Sequence, residues 1–317
     1  MRALVVGAGS WGSTFAALLA RRGHEVHLAC RDPEQAKQIA STGRNPRYVT
    51  ALDLSDVRAV AIEDAAEDAE LVAVAVPSRE FSDTVRALPG SAPVLVLAKG
   101  LDPATKGRLS RVVEGRPVAV LSGPNHAEEI AAGLPAAAVV ASEDEALAVE
   151  IQHALVSPRF RVYVNSDLVG VELCAAAKNV VALAAGAVDG LEVGDNAKAT
   201  LITRGLAEMA RLGEAAGARP ETFSGLAGLG DLVVTCWSRW SRNRRAGELI
   251  ARGATPAEAQ AEIAMAVEGL TTAPVLRDHA HALGVELPIT EAVCEVLGGA
   301  SLLELASRLM ERPPTEE

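Results

Sequence analysis

Residues 4–12 read Leu4-Val5-Val6-Gly7-Ala8-Gly9-Ser10-Trp11-Gly12, an apolar run followed by three glycines in the order Gly-x-Gly-x-x-Gly. The run is typical of a buried strand, and the residues after it suit a helix to about Arg22. In such a unit Gly7 permits the tight turn, Gly9 lets the backbone approach a pyrophosphate, and Gly12 allows close helix packing. Because strand, glycines, helix and second strand occur in this order, a dinucleotide-binding Rossmann turn is favoured over a glycine-rich surface turn.

The second predicted strand, Glu25–Cys30, bears on the choice of cofactor. A domain specific for NAD usually carries Asp or Glu near the end of this strand, where the carboxylate binds the ribose hydroxyls. Here Arg31 holds that place and Asp32 follows. An arginine suits a 2′-phosphate, so NADP is favoured and NAD stays an alternative. A solvated surface arginine is the competing interpretation of Arg31.

The rest of the chain divides into two parts. Apolar, β-branched runs alternate with helix-compatible stretches as far as Asn165, which predicts an α/β domain with a doubly wound, mainly parallel sheet covered by helices on both faces. Beyond Asn165 the sequence is rich in Ala, Leu and Glu and predicts an all-helical second domain. The expected domains are 1–165 and 166–317. The predicted strands are Arg2–Val6, Glu25–Cys30, Val57–Ile62, Glu70–Val76, Pro93–Ala98, Pro117–Leu121, Ala136–Ala141 and Phe160–Val164.

Composition excludes several classes of partner. The 317 residues include 30 basic and 41 acidic side chains, and the net charge of −11 argues against binding nucleic acid or an anionic membrane. The four cysteines lack the spacing of a disulfide framework or a metal site, so we expect reduced thiols and no metal. No secretory signal is recognisable, which favours the cytoplasm. The apolar stretch 173–188 contains Lys178 and is expected to be a buried helix that falls short of a membrane span.

Two lysines stand in unusual settings. Lys99 ends the apolar run 94–98, and ligands of a parallel sheet lie beyond the carboxyl ends of its strands. Lys178 lies in a helix predicted to begin near Asp167. Burial lowers the pKa of a lysine and makes it a proton donor and acceptor near neutral pH. The alternative is a lysine whose ammonium reaches solvent along its own stem. The face of Lys178 carries apolar or small residues, namely Val171, Cys174, Ala175, Ala182 and Ala185.

A third feature is Gly228-Leu229-Gly230-Asp231 followed by an arginine-rich segment. Gly225, Gly228 and Gly230 predict a flexible turn. Four arginines fall within residues 239–245, beside Ser241 and Asn243. In an acidic chain this cluster is a candidate anion site, because guanidinium groups bind phosphate in a bidentate manner. A solvated charged face is the simpler interpretation of the segment alone.

At these residues the sequence resembles the NAD(P)-dependent glycerol-3-phosphate dehydrogenases, and the resemblance covers almost the whole chain. The matching segments are Gly7 to Gly12, Asn45-Pro46-Arg47-Tyr48, Ala98-Lys99-Gly100, Ser122-Gly123-Pro124, Ala177-Lys178-Asn179, Gly228 to Leu232, Ser241-Arg242-Asn243 and Val267-Glu268-Gly269. The resemblance implies a helical C-terminal domain like that of 6-phosphogluconate dehydrogenase, with the active site between the domains. It also implies reduction of dihydroxyacetone phosphate to sn-glycerol 3-phosphate, the backbone precursor of bacterial phospholipids.

The resemblance also assigns roles to residues. Lys178 becomes the catalytic acid/base, with Lys99 and Asp231 arranging the reacting end of the substrate. Substrate binding is implied for Lys99, Gly123, Asn125, Lys178, Asp231, Ser241, Arg242 and Asn243. Cofactor binding is implied for Gly7, Gly9, Ser10, Trp11, Gly12, Arg31, Lys99, Ala127, Arg242 and Glu268, with Tyr48 near the nicotinamide side. Asn125-His126 departs from the family, which more often has Ser or Thr followed by an aromatic residue or His.

Two other functions compete with this one. A dehydrogenase of the same two-domain plan could act on a β-hydroxy acid or on 6-phosphogluconate, but the segment Ser241-Arg242-Asn243 favours a phosphate. A catalytically silent NADP-binding regulator would keep the nucleotide fold alone, and the presence of Lys99, Lys178 and Asp231 weighs against it. A homodimer is compatible with the Ala- and Leu-rich helical domain.

Overall fold

A computed structural model describes residues 1–65, 68–302 and 304. Each of the eight predicted strands is present with its bounds moved by three residues or fewer, and a two-stranded hairpin was not predicted. The strands are β1 (Arg2–Val6), β2 (Glu25–Cys30), β3 (Arg58–Ala61), β4 (Leu71–Val74), β5 (Val94–Val96), β6 (Leu101–Asp102), β7 (Gly107–Arg108), β8 (Val118–Ser122), β9 (Ala136–Ala141) and β10 (Phe160–Asn165).

Eight strands form one sheet in the order β10-β9-β8-β5-β4-β1-β2-β3, and β6 pairs with β7 in a separate hairpin. The chain builds outward from β1 through β2 to β3 and then returns to β4 on the other side of β1. The carboxyl ends of β1 and β4 therefore flank the point where strand order reverses, which is where ligands bind in open α/β sheets. The predicted Rossmann-type fold is confirmed.

One pairing in the sheet is antiparallel. β8 and β9 run in opposite directions, whereas every other neighbouring pair in the sheet is parallel. The helix between β8 and β9, Ala127–Ala131, has five residues. It therefore spans only about 8 Å, too little to carry the chain back across the sheet for a parallel crossover. The sheet is mainly parallel, as predicted.

The helices cover the sheet and then form the second part of the chain. The first five accompany the sheet, and β10 is the last strand before the helical part. The helices are α1 (Ser10–Ala20), α2 (Pro33–Thr42), α3 (Ser78–Arg86), α4 (Ala127–Ala131), α5 (Glu145–Leu155), α6 (Leu168–Gly190), α7 (Asp195–Ala215), α8 (Pro220–Ser224), α9 (Asp231–Trp237), α10 (Arg242–Ala251), α11 (Pro256–Ile263), α12 (Glu268–Ala282) and α13 (Pro288–Leu297).

Helix α6 is the axis of the helical part. Asp167 caps its N-terminus by accepting a hydrogen bond from the Gly170 N–H at 2.9 Å. The helix has 23 residues and is long and apolar enough to cross a membrane, so our argument that this stretch was too short was wrong. Our expectation of a buried helix is confirmed, since 89% of its most apolar window is buried inside the fold.

Two segments differ from the sequence-based expectations. Residues Leu226–Gly230, predicted as a flexible turn, form a π-helical turn that leads directly into α9. Close packing explains Gly228, because a Cβ there would lie 2.1 Å from the Phe223 carbonyl oxygen. The β6–β7 hairpin inserts Leu101 into the core of the helical part. The segment after Lys99 therefore joins the two parts of the molecule.

Candidate active site

A crevice of about 530 Å³ runs between the carboxyl edge of the sheet and the helical part. Strands β1, β4 and β5 open onto it through Gly7, Pro77 and Lys99, and the helical part contributes Lys178 and Arg242. Because β1, β4, β5 and β8 run in one direction, their exits meet along this edge. The crevice is therefore the place where the predicted site residues come together.

The glycine turn fits a dinucleotide. Gly7 has φ +106°, which favours glycine, and a Cβ at Gly12 would lie 1.8 Å from the Gly7 carbonyl oxygen. A Cβ at Gly9, by contrast, would have no atom within 4 Å, so the space beside Gly9 is open. Helix α1 begins at Ser10, directly after this turn, and its N-terminus favours an anion. The turn thus combines close helix packing with open space for phosphate oxygens.

Ser10 and Trp11 both line the crevice. The Ser10 hydroxyl lies 3.9 Å from Sδ of Met265, so α1 meets the helical part here. The Trp11 ring packs edge-on against Phe15, and its buried Nε1 has no hydrogen-bond partner among the described residues.

Both lysines converge on one buried carboxylate. Nζ of Lys178 lies 2.6 Å from Oδ1 of Asp231, and Nζ of Lys99 lies 2.8 Å from Oδ2. Lys178 is 4% exposed, so its ammonium does not reach bulk solvent along its stem. Burial on α6 explains this, because all five residues predicted to share its face are buried as well. Asp231 therefore fixes the position of the Lys178 ammonium.

The two ammonium groups differ in how many of their N–H donors are hydrogen-bonded within the protein. Nζ of Lys99 donates to Asp231, to the Gly123 carbonyl at 3.0 Å and to Oδ1 of Asn125 at 2.7 Å. Nζ of Lys178 donates to Asp231 and, at 2.8 Å, to Oγ1 of Thr235. An ammonium has three N–H donors. Among the described residues, Lys99 therefore has acceptors for all three N–H groups, whereas Lys178 has acceptors for two.

The environment lowers the pKa of these groups, which favours the neutral form of Lys178 but the charged form of Asp231. Burial lowers the pKa of Lys178 to about 7, and the Lys99 ammonium adds to this effect. Burial opposes ionisation of Asp231, but the two ammonium groups hold the pKa of its carboxyl well below its usual range. Burial also lowers the pKa of His126, beside this cluster, to about 4. At neutral pH Lys178 is thus the group poised to exchange a proton.

A chain of side-chain amides connects the elements around the lysines. The Gly269 N–H donates to Oδ1 of Asn243, Nδ2 of Asn243 donates to Oδ1 of Asn179, and Nδ2 of Asn179 donates to the Lys99 carbonyl. These bonds are 2.8, 2.8 and 2.7 Å long. Sequence reasoning gave no role to Asn179 or Thr235. The only signals were that Asn179 follows Lys178 and that Thr235 lies one helical turn after Asp231.

Only one of the four clustered arginines lines the crevice. Arg242 begins α10 directly after Ser241, whose hydroxyl caps the helix by accepting from the Arg244 N–H at 3.2 Å. Among the described residues, no carboxylate lies within 4.0 Å of Arg242. Arg244 instead pairs with Asp189 at 2.7 Å on the far side of the helix. Ser241, Arg242 and Asn243, the predicted phosphate clamp, all line the same crevice as Lys178.

Asn125 and Gly123 surround the Lys99 ammonium. Because Oδ1 of Asn125 accepts from Lys99, its Nδ2 faces away, and this buried atom has no partner in the described part of the chain. The Gly123 backbone, with φ +123°, presents its carbonyl to the same ammonium. Ala127 is the first residue of α4 and lines the crevice. Asn125 therefore carries an unpaired amide donor on a residue that lines the crevice.

Glu268 spans the two parts of the molecule. Its carboxylate accepts hydrogen bonds from the Ser78 hydroxyl and, at 3.1 Å, from the Ser78 N–H at the start of α3. Burial raises the pKa of this carboxyl. Glu268 lines the crevice at this contact, as expected for a cofactor residue supplied by the helical part.

Arg31 and Tyr48 lie farther along the crevice, beside the end of β2. The Arg31 side chain is 83% exposed and its Nη1 lies 2.8 Å from Oε2 of Glu80. Tyr48 follows Arg47 in a loop fixed beside the glycine turn, where Oδ1 of Asn45 accepts from the Tyr48 N–H at 3.2 Å. Tyr48 lines the crevice, and its predicted contact near the nicotinamide side stays a prediction.

The described residues contain no cluster of three or more His, Cys, Asp or Glu side chains that could hold a metal ion. The four cysteines are free thiols.

Comparison with known proteins agrees with this arrangement. The family described as NAD-dependent glycerol-3-phosphate dehydrogenase matches with its N-terminus at residues 3–148 and with its C-terminus at residues 167–306. A glycerol-3-phosphate dehydrogenase (NAD(P)+) of Moorella thermoacetica is 46% identical over 323 residues, covering 99% of this chain and 96% of the relative. That of Chlorobium limicola is 44% identical over 331 residues, covering 100% of this chain and 99% of the relative.

A solved structure extends the likeness to three dimensions. The crystal structure of glycerol-3-phosphate dehydrogenase from Coxiella burnetii superposes with a TM-score of 0.94 at 37% identity, covering 98% of this chain and 99% of the other. The family match and the structural likeness both extend over nearly the whole chain. The chain belongs to the NAD-dependent glycerol-3-phosphate dehydrogenase family.

Proposed function

We propose that this protein catalyses the reversible, NAD(P)H-dependent reduction of dihydroxyacetone phosphate to sn-glycerol 3-phosphate, and so supplies the glycerol phosphate backbone for phospholipid synthesis. The observation that carries the proposal is that Lys178 lines the same crevice as Arg242 and has a third N–H with no acceptor in the described part of the chain. A ketone and a phosphate in one small molecule satisfy both groups. The names of the full-length relatives support the same reaction.

Lys178 would act as the general acid. When bound, the nicotinamide cofactor supplies a hydride to the ketone carbon, and negative charge then develops on the ketone oxygen. The free N–H of Lys178 Nζ stabilises this charge and transfers its proton to the oxygen. Its pKa of about 7 suits this transfer, because the protonated and neutral forms are both populated at neutral pH. In the reverse reaction, neutral Lys178 accepts the proton.

Lys99 and Asp231 hold the acid in place and set its charge. Lys99 is bound by three acceptors, so it acts as a fixed positive charge beside the substrate and not as the proton donor. Asp231 prevents the two ammonium groups from repelling each other in a buried site. Nδ2 of Asn125 is available to donate to a substrate oxygen. The reacting end is therefore positioned before the proton moves.

The phosphate would bind at the N-terminus of α10. Arg242 provides a guanidinium for bidentate binding, and Ser241 and Asn243 flank it. Asn243 already uses Oδ1 and one N–H in the amide chain, which leaves one N–H for the phosphate. The helix N-terminus adds favourable electrostatic potential for an anion.

The cofactor would lie along the glycine turn. Gly7, Gly9, Ser10, Trp11 and Gly12 would hold the pyrophosphate. Arg31 would contact the 2′-phosphate of NADP, which we favour, while NAD is also accepted. Ala127, Glu268 and Tyr48 would complete the binding site.

Initial rates distinguish this function from its alternatives. We expect purified protein to oxidise NADPH and NADH on addition of dihydroxyacetone phosphate, measured by the loss of nicotinamide absorbance. A dehydrogenase of the related β-hydroxyacid or 6-phosphogluconate type would oxidise its hydroxy acid and ignore dihydroxyacetone phosphate. A silent regulator would bind NADPH without turnover of any of these substrates. Either result would refute the proposal.

The remaining expectations concern the setting of the enzyme. We infer a cytoplasmic enzyme whose partners are small molecules, without membrane insertion and without nucleic acid, because the net charge of −11 disfavours anionic surfaces. A division into domains 1–165 and 166–317 accords with the end of β10 at Asn165 and the start of α6 at Leu168. A homodimer is compatible with the helical part.

A further inference from the structure

Two pairs of oppositely charged side chains line the crevice where β2 ends. Arg31 pairs with Glu80 at 2.8 Å, and Arg47 pairs with Asp32 at 3.0 Å. All four residues lie along the crevice wall that also contains the glycine turn. In a Rossmann domain this position faces the adenosine ribose, so both pairs bear on the choice between NAD and NADP.

Asp32 is the carboxylate that would bind the ribose hydroxyls of NAD, but both of its oxygens are already engaged. Oδ1 caps α2 by accepting from the Glu34 N–H at 3.0 Å. Oδ2 accepts from Nη2 of Arg47 at 3.0 Å. A carboxylate neutralised in this way attracts ribose hydroxyls less strongly and repels a 2′-phosphate less strongly. Arg47 therefore masks the group that would otherwise favour NAD.

The loop that carries Arg47 is fixed beside the cofactor turn. Nδ2 of the buried Asn45 donates to the Ala8 carbonyl at 2.9 Å and to the Ser13 hydroxyl at 2.8 Å. Oδ1 of Asn45 accepts from the Arg47 N–H at 3.0 Å. This anchoring keeps the Arg47 guanidinium at the end of β2, while 61% of the side chain stays exposed to the crevice and solvent.

We propose that Arg47 is a specificity-determining residue that binds the 2′-phosphate of NADP together with Arg31 and masks Asp32. Two guanidinium groups from separate segments would flank one phosphate dianion, the geometry that arginine satisfies best. The inference builds on the proposed NAD(P)-dependent function but concerns binding of the cofactor alone. It explains how a chain with Asp32 beside β2 still favours NADP.

Calorimetric titration of substrate-free protein with NADPH and with NADH tests this role. Because a hydrogen bond to a charged group is lost, we expect Arg47→Ala to weaken NADPH binding about tenfold to hundredfold. NADH binding should stay unchanged or become tighter, because Asp32 is no longer masked. Adenosine 2′,5′-bisphosphate and 5′-AMP should repeat this difference without the nicotinamide. Asp32→Asn, which removes the masked charge, should weaken NADH binding and leave NADPH binding intact or tighter.

Arg22→Ala is the matched control, because Arg22 is an exposed arginine that does not line the crevice. It should leave both dissociation constants unchanged. Equal weakening of NADPH and NADH by Arg47→Ala at an unchanged melting temperature would overturn the proposal, and so would no change in either. The proposed reaction fails separately, if the wild-type protein selects NADPH by calorimetry yet does not reduce dihydroxyacetone phosphate.

Discussion

Asp231→Asn tests whether this carboxylate keeps Lys178 protonated near neutral pH. The substitution keeps the size of the side chain but removes the charge that lies 2.6 Å from Lys178 and 2.8 Å from Lys99. Removing one partner of a buried ion pair costs about 3 to 5 kcal/mol. A pKa changes by one for each 1.36 kcal/mol or so. When the protonated form of Lys178 loses about 3 kcal/mol of stabilisation, the pKa of Lys178 falls by about two.

The consequence for catalysis follows from the protonated fraction of Lys178. That fraction is about one half at pH 7 in the wild-type protein, whose Lys178 pKa is about 7. In Asp231→Asn it falls to about one hundredth, so kcat for reduction drops roughly fiftyfold at pH 7. At lower pH the variant should recover part of this loss as Lys178 regains its proton.

The assay is kcat for reduction of dihydroxyacetone phosphate between pH 5 and 9, with circular dichroism confirming that the variant is folded. Thr235→Val is a useful control, because it removes one acceptor of Lys178 and leaves the charge of Asp231 in place. The reasoning is refuted if folded Asp231→Asn keeps the wild-type pH profile, or if its loss of kcat is the same at every pH.

Three further predictions concern the crevice. In the wild-type protein, kcat for reduction should fall above about pH 7, because only protonated Lys178 donates a proton. The kcat for the reverse oxidation should rise through the same range, because only neutral Lys178 accepts one. Two pH profiles that change in the same direction would contradict this. Gly12→Ala should lower both the melting temperature and NADPH affinity, because its Cβ meets the Gly7 carbonyl oxygen, whereas Gly9→Ala should keep the melting temperature and weaken only NADPH binding. Arg242→Ala should raise KM for dihydroxyacetone phosphate by about a hundredfold or more, the loss expected for charge-assisted phosphate contacts, and should change the NADPH dissociation constant far less.

The sheet could be predicted because its strands are buried on both faces. Continuous apolar runs identify such strands, and their alternation with helices predicts the order of elements. The β6–β7 hairpin escaped prediction because its strands have two residues each, too few to show a period. The antiparallel direction of β9 follows from the shortness of α4. The sequence does not reveal that length, because no side chain caps the start of α4.

The site was predictable where an unusual residue stood in an apolar setting. Lys178 was identified as buried because its helical face is otherwise apolar, and Lys99 because it ends an apolar strand. The contacts that side chains make across the fold could not be predicted from the local sequence. The sequence alone does not show that Arg242 faces the crevice while Arg244 turns away to Asp189, since this depends on how α10 packs against α6. The roles of Asn179 and Asn243 likewise depend on three separate helices meeting.

The central claim is that Lys178 donates the proton that completes reduction of dihydroxyacetone phosphate. Single-turnover reduction by Lys178→Ala, with saturating NADPH, measures this step directly while calorimetry measures cofactor binding in the same preparation. We expect the rate of reduction to fall about a hundredfold to ten-thousandfold, as for loss of a general acid, while the NADPH dissociation constant changes less than threefold. Reduction within tenfold of the wild-type rate would contradict it.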